Sequence, residues 1–242
     1  MLDSPYSSED DDVGTANSMA DSNQIEDFCN RMSRHEGGAA PPKQAGLGEL
    51  ANTWTGEIEE VRKYLGISKP QLFGLFRSLK LTNMKLNVIE DDCRDLFSSL
   101  VSLDISCNHV ESLANLSSGL VSLSAYNNEI HDLERLPNCQ GLMQLGLGFN
   151  FITQVPSSLF LSFPSLISLD LSYNNITSLD PLTTNLRSSS SLRHLSLEGN
   201  PCSLLPMYRP RVISELPDLQ MLDDVAISSI ADDINECLKV SA

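Results

Sequence analysis

The side chains able to do chemistry in this 242-residue chain are spread thinly. Four histidines stand at His35, His109, His131 and His194, and six cysteines at Cys29, Cys93, Cys107, Cys139, Cys202 and Cys237. Zinc sites draw on ligands in short-spaced pairs, and the chain has no C-x-x-C. Stacking of successive chain segments would bring His109, His131 and Cys107 near one another. Scattered surface histidines are the commoner arrangement, so no metal is expected. A P-loop, a G-x-S-x-G elbow, an H-E-x-x-H helix and a dinucleotide fingerprint are all missing. The sequence therefore predicts no cofactor and no enzymatic activity. Recognition is the chemistry that remains. Its candidates are the charged groups Lys80, Asp104, Asp170, His194 and Glu198, with the aromatics Tyr126, Phe149, Phe151 and Tyr173.

These residues are positioned by a repeat. The template L-x-x-L-x-L-x-x-N-x-I occurs as Leu100/Leu103/Ile105/Asn108/Val110, then Leu120/Leu123/Ala125/Asn128/Ile130, then Leu142/Leu145/Leu147/Asn150/Ile152. Leu166/Leu169/Leu171/Asn174/Ile176 and Leu192/Leu195/Leu197/Asn200 follow. The asparagines are 20, 22, 24 and 26 residues apart. A degenerate copy precedes them, Phe76/Leu79/Leu81/Met84/Leu86, with methionine at the asparagine position, and Leu219/Leu222 begin a partial last copy. Each copy supplies one short strand with alternating side chains, leucines inward. One unit cannot bury its leucines alone, whereas stacked units form a continuous core. Asn108, Asn128, Asn150, Asn174 and Asn200 are expected to form a structural ladder, each amide satisfying backbone groups where the chain leaves the strand. The lengthening spacing places extra residues on the far side, including a short helix within 156–164 and one capped by Asp180 and running to Leu186.

The positions between the leucines face outward. They are mostly small and uncharged, for example Ser102, Ser122, Ser124, Gly146, Gly148, Ser168 and Ser196. Tyr126, Phe149, Phe151 and Tyr173 are read as an aromatic row beside this floor, able to anchor a partner. Serine and glycine also serve close strand packing, and aromatics also cover turns. Exposed aromatics side by side carry a solubility cost that favours binding. Asp104, Asp170 and Glu198 outweigh Lys80 on the face, which favours a basic partner.

The chain carries 16 basic and 32 acidic residues, a formal charge of −16, and 41% hydrophobic residues. That acidity argues against nucleic-acid and anionic-membrane binding. No apolar run of about 18 residues exists to span a bilayer, and the acidic start matches neither a secretory nor a mitochondrial leader. The expectation is a cytoplasmic protein with reduced cysteines, in which the sequons at Asn115 and Asn175 stay unmodified. Residues 1–48 are read as an acidic disordered tail, in which Ser7 and Ser8 precede an acidic run that suits an acidophilic kinase. Residues 49–75 are read as a helical N-terminal cap, with one helix from Thr55 to Leu65 and another from Gln71 to Arg77. Residues 76–227 form the repeat domain with a C-terminal cap, and 228–242 a short terminal helix. In the cap, Tyr208 is expected to be structural, Arg209 to pair with Asp223 or Asp224, and Cys202 to be buried.

Repeats of about 22 residues ending in Asn200-Pro201, followed by Tyr208-Arg209, Val212-Ile213, Leu216-Pro217, Leu219 and Leu222-Asp223-Asp224, resemble the leucine-rich-repeat class of the protein phosphatase 1 regulatory subunit. Leu145-Gly-Leu-Gly-Phe-Asn150, Leu169-Asp-Leu-Ser-Tyr-Asn174, Leu197-Glu-Gly-Asn-Pro201 and Pro206-Met-Tyr-Arg209 are similar to the family of leucine-rich repeat-containing protein 43. The resemblance implies an α/β fold, a right-handed leucine-rich-repeat solenoid. Parallel strands line its concave face, loops and short helices its convex face, and six repeats precede the cap. It implies an intracellular adaptor, with motile cilia as one setting, binding a protein partner on the concave face as a monomer. A phosphatase regulatory subunit is the alternative binder, and an enzyme or metalloprotein the alternative of another class.

Overall fold

The computed structural model describes residues 45–46, 63, 66, 68–90 and 93–228. Most of the tail, the Thr55 helix apart from Lys63, which is helical, and the terminal helix beyond Ser228 lie outside them.

Within the unit spanning 39–242, the order is β1 (Ala45–Gly46), α1 (Lys69–Phe73), β2 (Ser78–Lys80), β3 (Leu86–Val88), α2 (Cys93–Leu96), β4 (Ser102–Asp104) and β5 (Ser122–Ser124). It continues with β6 (Gln144–Gly146), α3 (Leu159–Ser162), β7 (Ser168–Asp170), α4 (Leu179–Leu186) and β8 (His194–Ser196). A 3₁₀ turn (Pro201–Leu204), α5 (Tyr208–Glu215), β9 (Met221–Leu222) and β10 (Val225–Ala226) close it. β1 falls within the stretch read as tail and pairs in parallel with β3.

Six strands, one per repeat, plus β9 form a parallel sheet in the order β2-β4-β5-β6-β7-β8-β9, and β10 closes its end antiparallel to β9. The register is the repeat itself: Leu79, Leu103, Leu123, Leu145, Leu169, Leu195 and Leu222 are successive partners. All seven are buried. Each contributes about 2 kcal/mol of apolar burial that a lone repeat could not achieve. Only the aliphatic column is shared, so the core continues from coil to coil with few aromatics. Phe73, Phe76 and Phe97 pack together at the first coil, and Phe163 fills the longer convex arch before β7.

The asparagines form the expected ladder. Each Nδ2 donates to a carbonyl of the preceding coil, Leu81, Ile105, Ala125, Leu147 and Leu171 in turn, at 2.7–3.0 Å. Each Oδ1 accepts the N–H of Leu86, Val110, Ile130, Ile152 and Ile176 in turn, at 2.9–3.1 Å. The buried bend is thereby satisfied in every coil. At the degenerate coil methionine offers no side-chain amide, and Asn108 Oδ1 accepts the Met84 N–H at 2.9 Å besides that of Leu86. At the other end Asp223 takes over. It has φ +50°, and its Oδ1 accepts the Leu197 N–H at 2.9 Å and the Tyr208 hydroxyl at 3.2 Å. Arg209 lies 3.7 Å from Asp223 Oδ2, and Cys202 is buried beside this cap.

The helix bounds differ from the sequence reading. α1 stops at Phe73 rather than Arg77, because Gly74 caps it and donates to Pro70 O at 2.9 Å. The helix within 156–164 contracts to α3. α4 begins at Leu179, with Ser178 rather than Asp180 at the cap. Asp180 instead sits in the first turn and pairs with Arg211 of α5, while Arg187 pairs with Glu215. These two ion pairs tie the last convex helix to the cap helix.

Candidate functional site

The strands expose a band of side chains on the concave face, and the backbone of each coil fixes their columns. The central column runs Lys80, Asp104, Ser124, Gly146, Asp170 and Ser196 by register. Lys80 Nζ is 3.5 Å from Asp104 Oδ2, so the cation and the first acid offset each other. Asp104 and Asp170 also each accept the backbone N–H two residues on, in Ser106 and Ser172, at 3.0 and 2.8 Å. These internal bonds hold both carboxylates in place on the floor.

Tyr126 lies across the next coil. A Cβ on Gly146 would collide with its ring, and one on Gly148 would stand 2.9 Å from it. Its hydroxyl crosses that glycine floor to donate to Asp170 Oδ2 at 2.8 Å. Burial, then the hydrogen bond to Asp170, then the negative charges of Asp170, Asp224 and Asp104 push the Tyr126 hydroxyl far above its ordinary pKa. Glycine is required here by the close approach of the ring, not by backbone conformation. The tyrosine forms a low ridge between two shallow hollows. One, of about 150 Å³, is lined by Ser122, Ser124, Gln144 and Ser168. The other, of about 180 Å³, is lined by Asp170, His194, Ser196, Met221 and Asp224.

The four aromatics expected in one row occupy different columns. Phe149 and Tyr173 stand immediately before ladder asparagines, in left-handed backbone at φ +56° and +52°. That conformation turns both rings along the rim, where they stack at 4.3 Å and 8°. Gly199 is the next member of this column, and a Cβ there would strike the Tyr173 ring. Phe149 and Tyr173 are 52% and 46% exposed although stacked. Phe151 follows its asparagine, where the chain leaves the strand, and stacks on His131 at 5.3 Å. It therefore pairs apart from Tyr126 and Tyr173. Glu198 is exposed beside the stack, its backbone carbonyl accepting the Tyr173 N–H at 2.7 Å. His109, instead of meeting His131, pairs with Glu129 at 2.7 Å.

Among the described residues, no group of three or more His, Cys, Asp or Glu is placed to hold a metal ion. No described helix is long and apolar enough to cross a membrane. Two features escaped the sequence reading. Asp224 joins the second hollow from the two-residue turn between β9 and β10, in which Asp223 and Asp224 are both left-handed. A column just before the strands is formed by Val101, Val121, Met143 and Ile167, of which Met143 and Ile167 are exposed. Its carbonyls accept pairs of N–H groups from the next coil. The signal for it was the residue after the first leucine of each template copy.

Comparison with known proteins agrees with this geometry. The leucine rich repeat family model matches residues 140–202. The chain is 36% identical over 177 residues to human leucine-rich repeat-containing protein 43, covering 69% of this chain and 26% of that protein. It is 35% identical over 175 residues to the mouse protein, again with 69% and 26% coverage. The match thus spans about a quarter of the length of these relatives. Among solved structures, an internalin from Listeria monocytogenes aligns with a TM-score of 0.49 and 26% identity, covering 63% of this chain and 42% of that one. The Drosophila melanogaster SNF/U2A' complex aligns with a TM-score of 0.45 and 24% identity, covering 66% and 84%. With the repeated template, the asparagine ladder and the parallel sheet in register, the family-model match and the two relatives make the chain a leucine-rich-repeat protein.

Proposed function

We propose that this chain is a protein–protein interaction scaffold that holds a partner protein on its concave face. The observation that carries this reading is the Phe149–Tyr173 stack. Two large aromatic rings stay half-exposed at the rim of a face floored in its middle coils largely by serine and glycine. Such a pair offers a rigid apolar anchor at little entropic cost, the kind of group that dominates interface energies. Glu198 stands beside it, and Asp170 and the exposed Asp224 line the second hollow, which favours a basic partner through steering and register. Tyr126, His194, Lys80 and Asp104 complete the floor, and Phe151 forms a secondary apolar contact outside it. The cytoplasmic and axonemal setting implied by the sequence resemblance belongs to the same proposal, and the location of a tagged chain in ciliated cells tests it.

The binding test is affinity capture with the wild-type chain and with Phe149→Ser and Tyr173→Ser variants of unchanged circular dichroism. The proposal expects specific partners of the wild type to be lost from both variants. Identical partner sets for all three proteins contradict it.

A further inference from the structure

The loop that enters α5 is apolar, and the described residues leave it open. Leu204-Leu205-Pro206-Met207 are four consecutive apolar residues, all exposed, with Leu204 at 86% and Met207 at 70%. Met207 stands in left-handed backbone at φ +61° without burying its side chain. A surface run of this kind marks a contact rather than a chance exposure. One side of α5 extends the apolar surface. Arg211 and Glu215 face α4 through Asp180 and Arg187. Ile213 is two residues from each and so lies about 160° round the helix from both. It faces away from α4, toward the open end of the solenoid, where β10 is the last strand. Ile213 and Pro210 are partly exposed there.

Beyond β10 the chain turns into a helix at Ile227 and Ser228. The Ile227 N–H donates to Gln220 O at 2.9 Å, which starts that helix beside the link from α5 to β9. In helical projection the sequence that follows sets Ile230, Ile234 and Leu238 in line with Ile227, and Asp232 and Glu236 opposite. We propose that residues 227–240 run back along α5 as an amphipathic helix, covering Ile213, Pro210 and the loop 204–207. The lengths match. The eight residues of α5 span about 12 Å, and Ile227 to Leu238 spans about 16 Å, so Leu238 reaches Met207. The segment then serves as the outer cap of the solenoid. Its apolar side closes over the loop, and Asp232 and Glu236 give the end the polar surface that a solenoid terminus requires. Two considerations favour the chain's own segment over a second copy. It is tethered beside the surface, which gives it a high effective concentration. A second copy brings the same net charge of −16, and like charges repel. This docking is independent of what the concave face binds.

Cross-linking of the full chain with a short bismaleimide tests this. Cys237 adjoins Leu238 in the segment. In a Met207→Cys variant the reagent is expected to join the introduced thiol to Cys237 within one chain, as read by peptide mapping. In Leu161→Cys, at an exposed residue of α3, it is expected not to. Adding Ile234→Asp to Met207→Cys is expected to lower the yield about tenfold, because a charge on the apolar side undocks the segment. Amide exchange of the wild-type chain is the second measurement. Amides 230–238 are expected to exchange about tenfold or more below the unfolded rate, and to lose that protection in Met207→Asp. Absence of the bond to Cys237, an equal yield from Leu161→Cys, or a yield indifferent to Ile234→Asp overturns the inference. So does a bond between two chains, which assigns the surface to a second copy. Unfolded exchange rates across 230–238 in the wild type overturn it as well.

Discussion

The Tyr126 hydroxyl donates to Asp170 Oδ2 at 2.8 Å, joining residues that lie two coils apart across a glycine floor. The bond fixes the ridge between the two hollows. Tyr126→Phe keeps the ring and removes the donor, which is expected to cost about 1–2 kcal/mol in urea denaturation. Gly146→Ala is expected to cost at least as much, since its methyl displaces the ring and breaks the same bond. A Tyr126→Phe midpoint equal to that of the wild type rules out this role.

The same tyrosine makes stability depend on alkaline pH. Its folded pKa lies above the unfolded value of 10.0, mainly through burial and then Asp170. The neutral phenol's contribution is complete below pH 10 and is lost as pH rises past it, because the unfolded chain ionises first. Tyr208, buried and bonded to Asp223, shifts in the same direction. Stability is expected to fall above pH 10, and Tyr126→Phe to flatten that fall. Equal slopes for the variant and the wild type, measured by denaturation from pH 8 upward, contradict this.

The ladder predicts a large cost from a small change. Asn150→Ala strips the Ile130 N–H and the Ala125 carbonyl of their partners, at 3.1 and 3.0 Å. The expected loss is about 3 kcal/mol, from backbone groups left buried and unpaired. Asp223→Ala is expected to weaken the other end, releasing Leu197 N–H and the Tyr208 hydroxyl. Amide exchange reads it directly: the Leu197 amide exchanges faster in Asp223→Ala, while the Ile130 amide does not change. Uniform acceleration along the chain argues instead for global destabilisation.

Thiol reactivity separates core from rim. Cys139 and Cys202 are buried, and burial pushes each thiol up to about 11. Cys107 is exposed. Alkylation of the native protein at pH 8, followed by peptide mapping, is expected to label Cys107 and spare the other two until urea is added. Early labelling of Cys202 contradicts the cap packing.

Sequence spacing revealed the fold wherever a side chain must recur in register. The leucine and asparagine columns were legible because every coil repeats the same burial and the same backbone demand. Helix ends were less so. Asp180-Pro181 reads as a cap and first turn, yet Ser178 caps α4 and Asp180 serves Arg211, a tertiary contact that local propensity does not contain. The aromatic row was misread for a similar reason. Tyr126 and Phe149 are near in the template, but the left-handed backbone at Phe149 aims its ring along the rim while Tyr126 falls onto glycine. The Val101–Ile167 column was visible in principle, as one template position compared down the repeats.

Hydroxyl-radical footprinting of the chain, alone and in complex with a partner captured by the wild type, tests the concave-face account most directly. The account predicts that oxidation of Phe149 and Tyr173 falls severalfold in the complex, while exposed Leu161 on α3 and Met207 before α5 are unchanged. Unaltered oxidation of Phe149 and Tyr173, with protection of Leu161 or Met207, places the partner elsewhere and contradicts it.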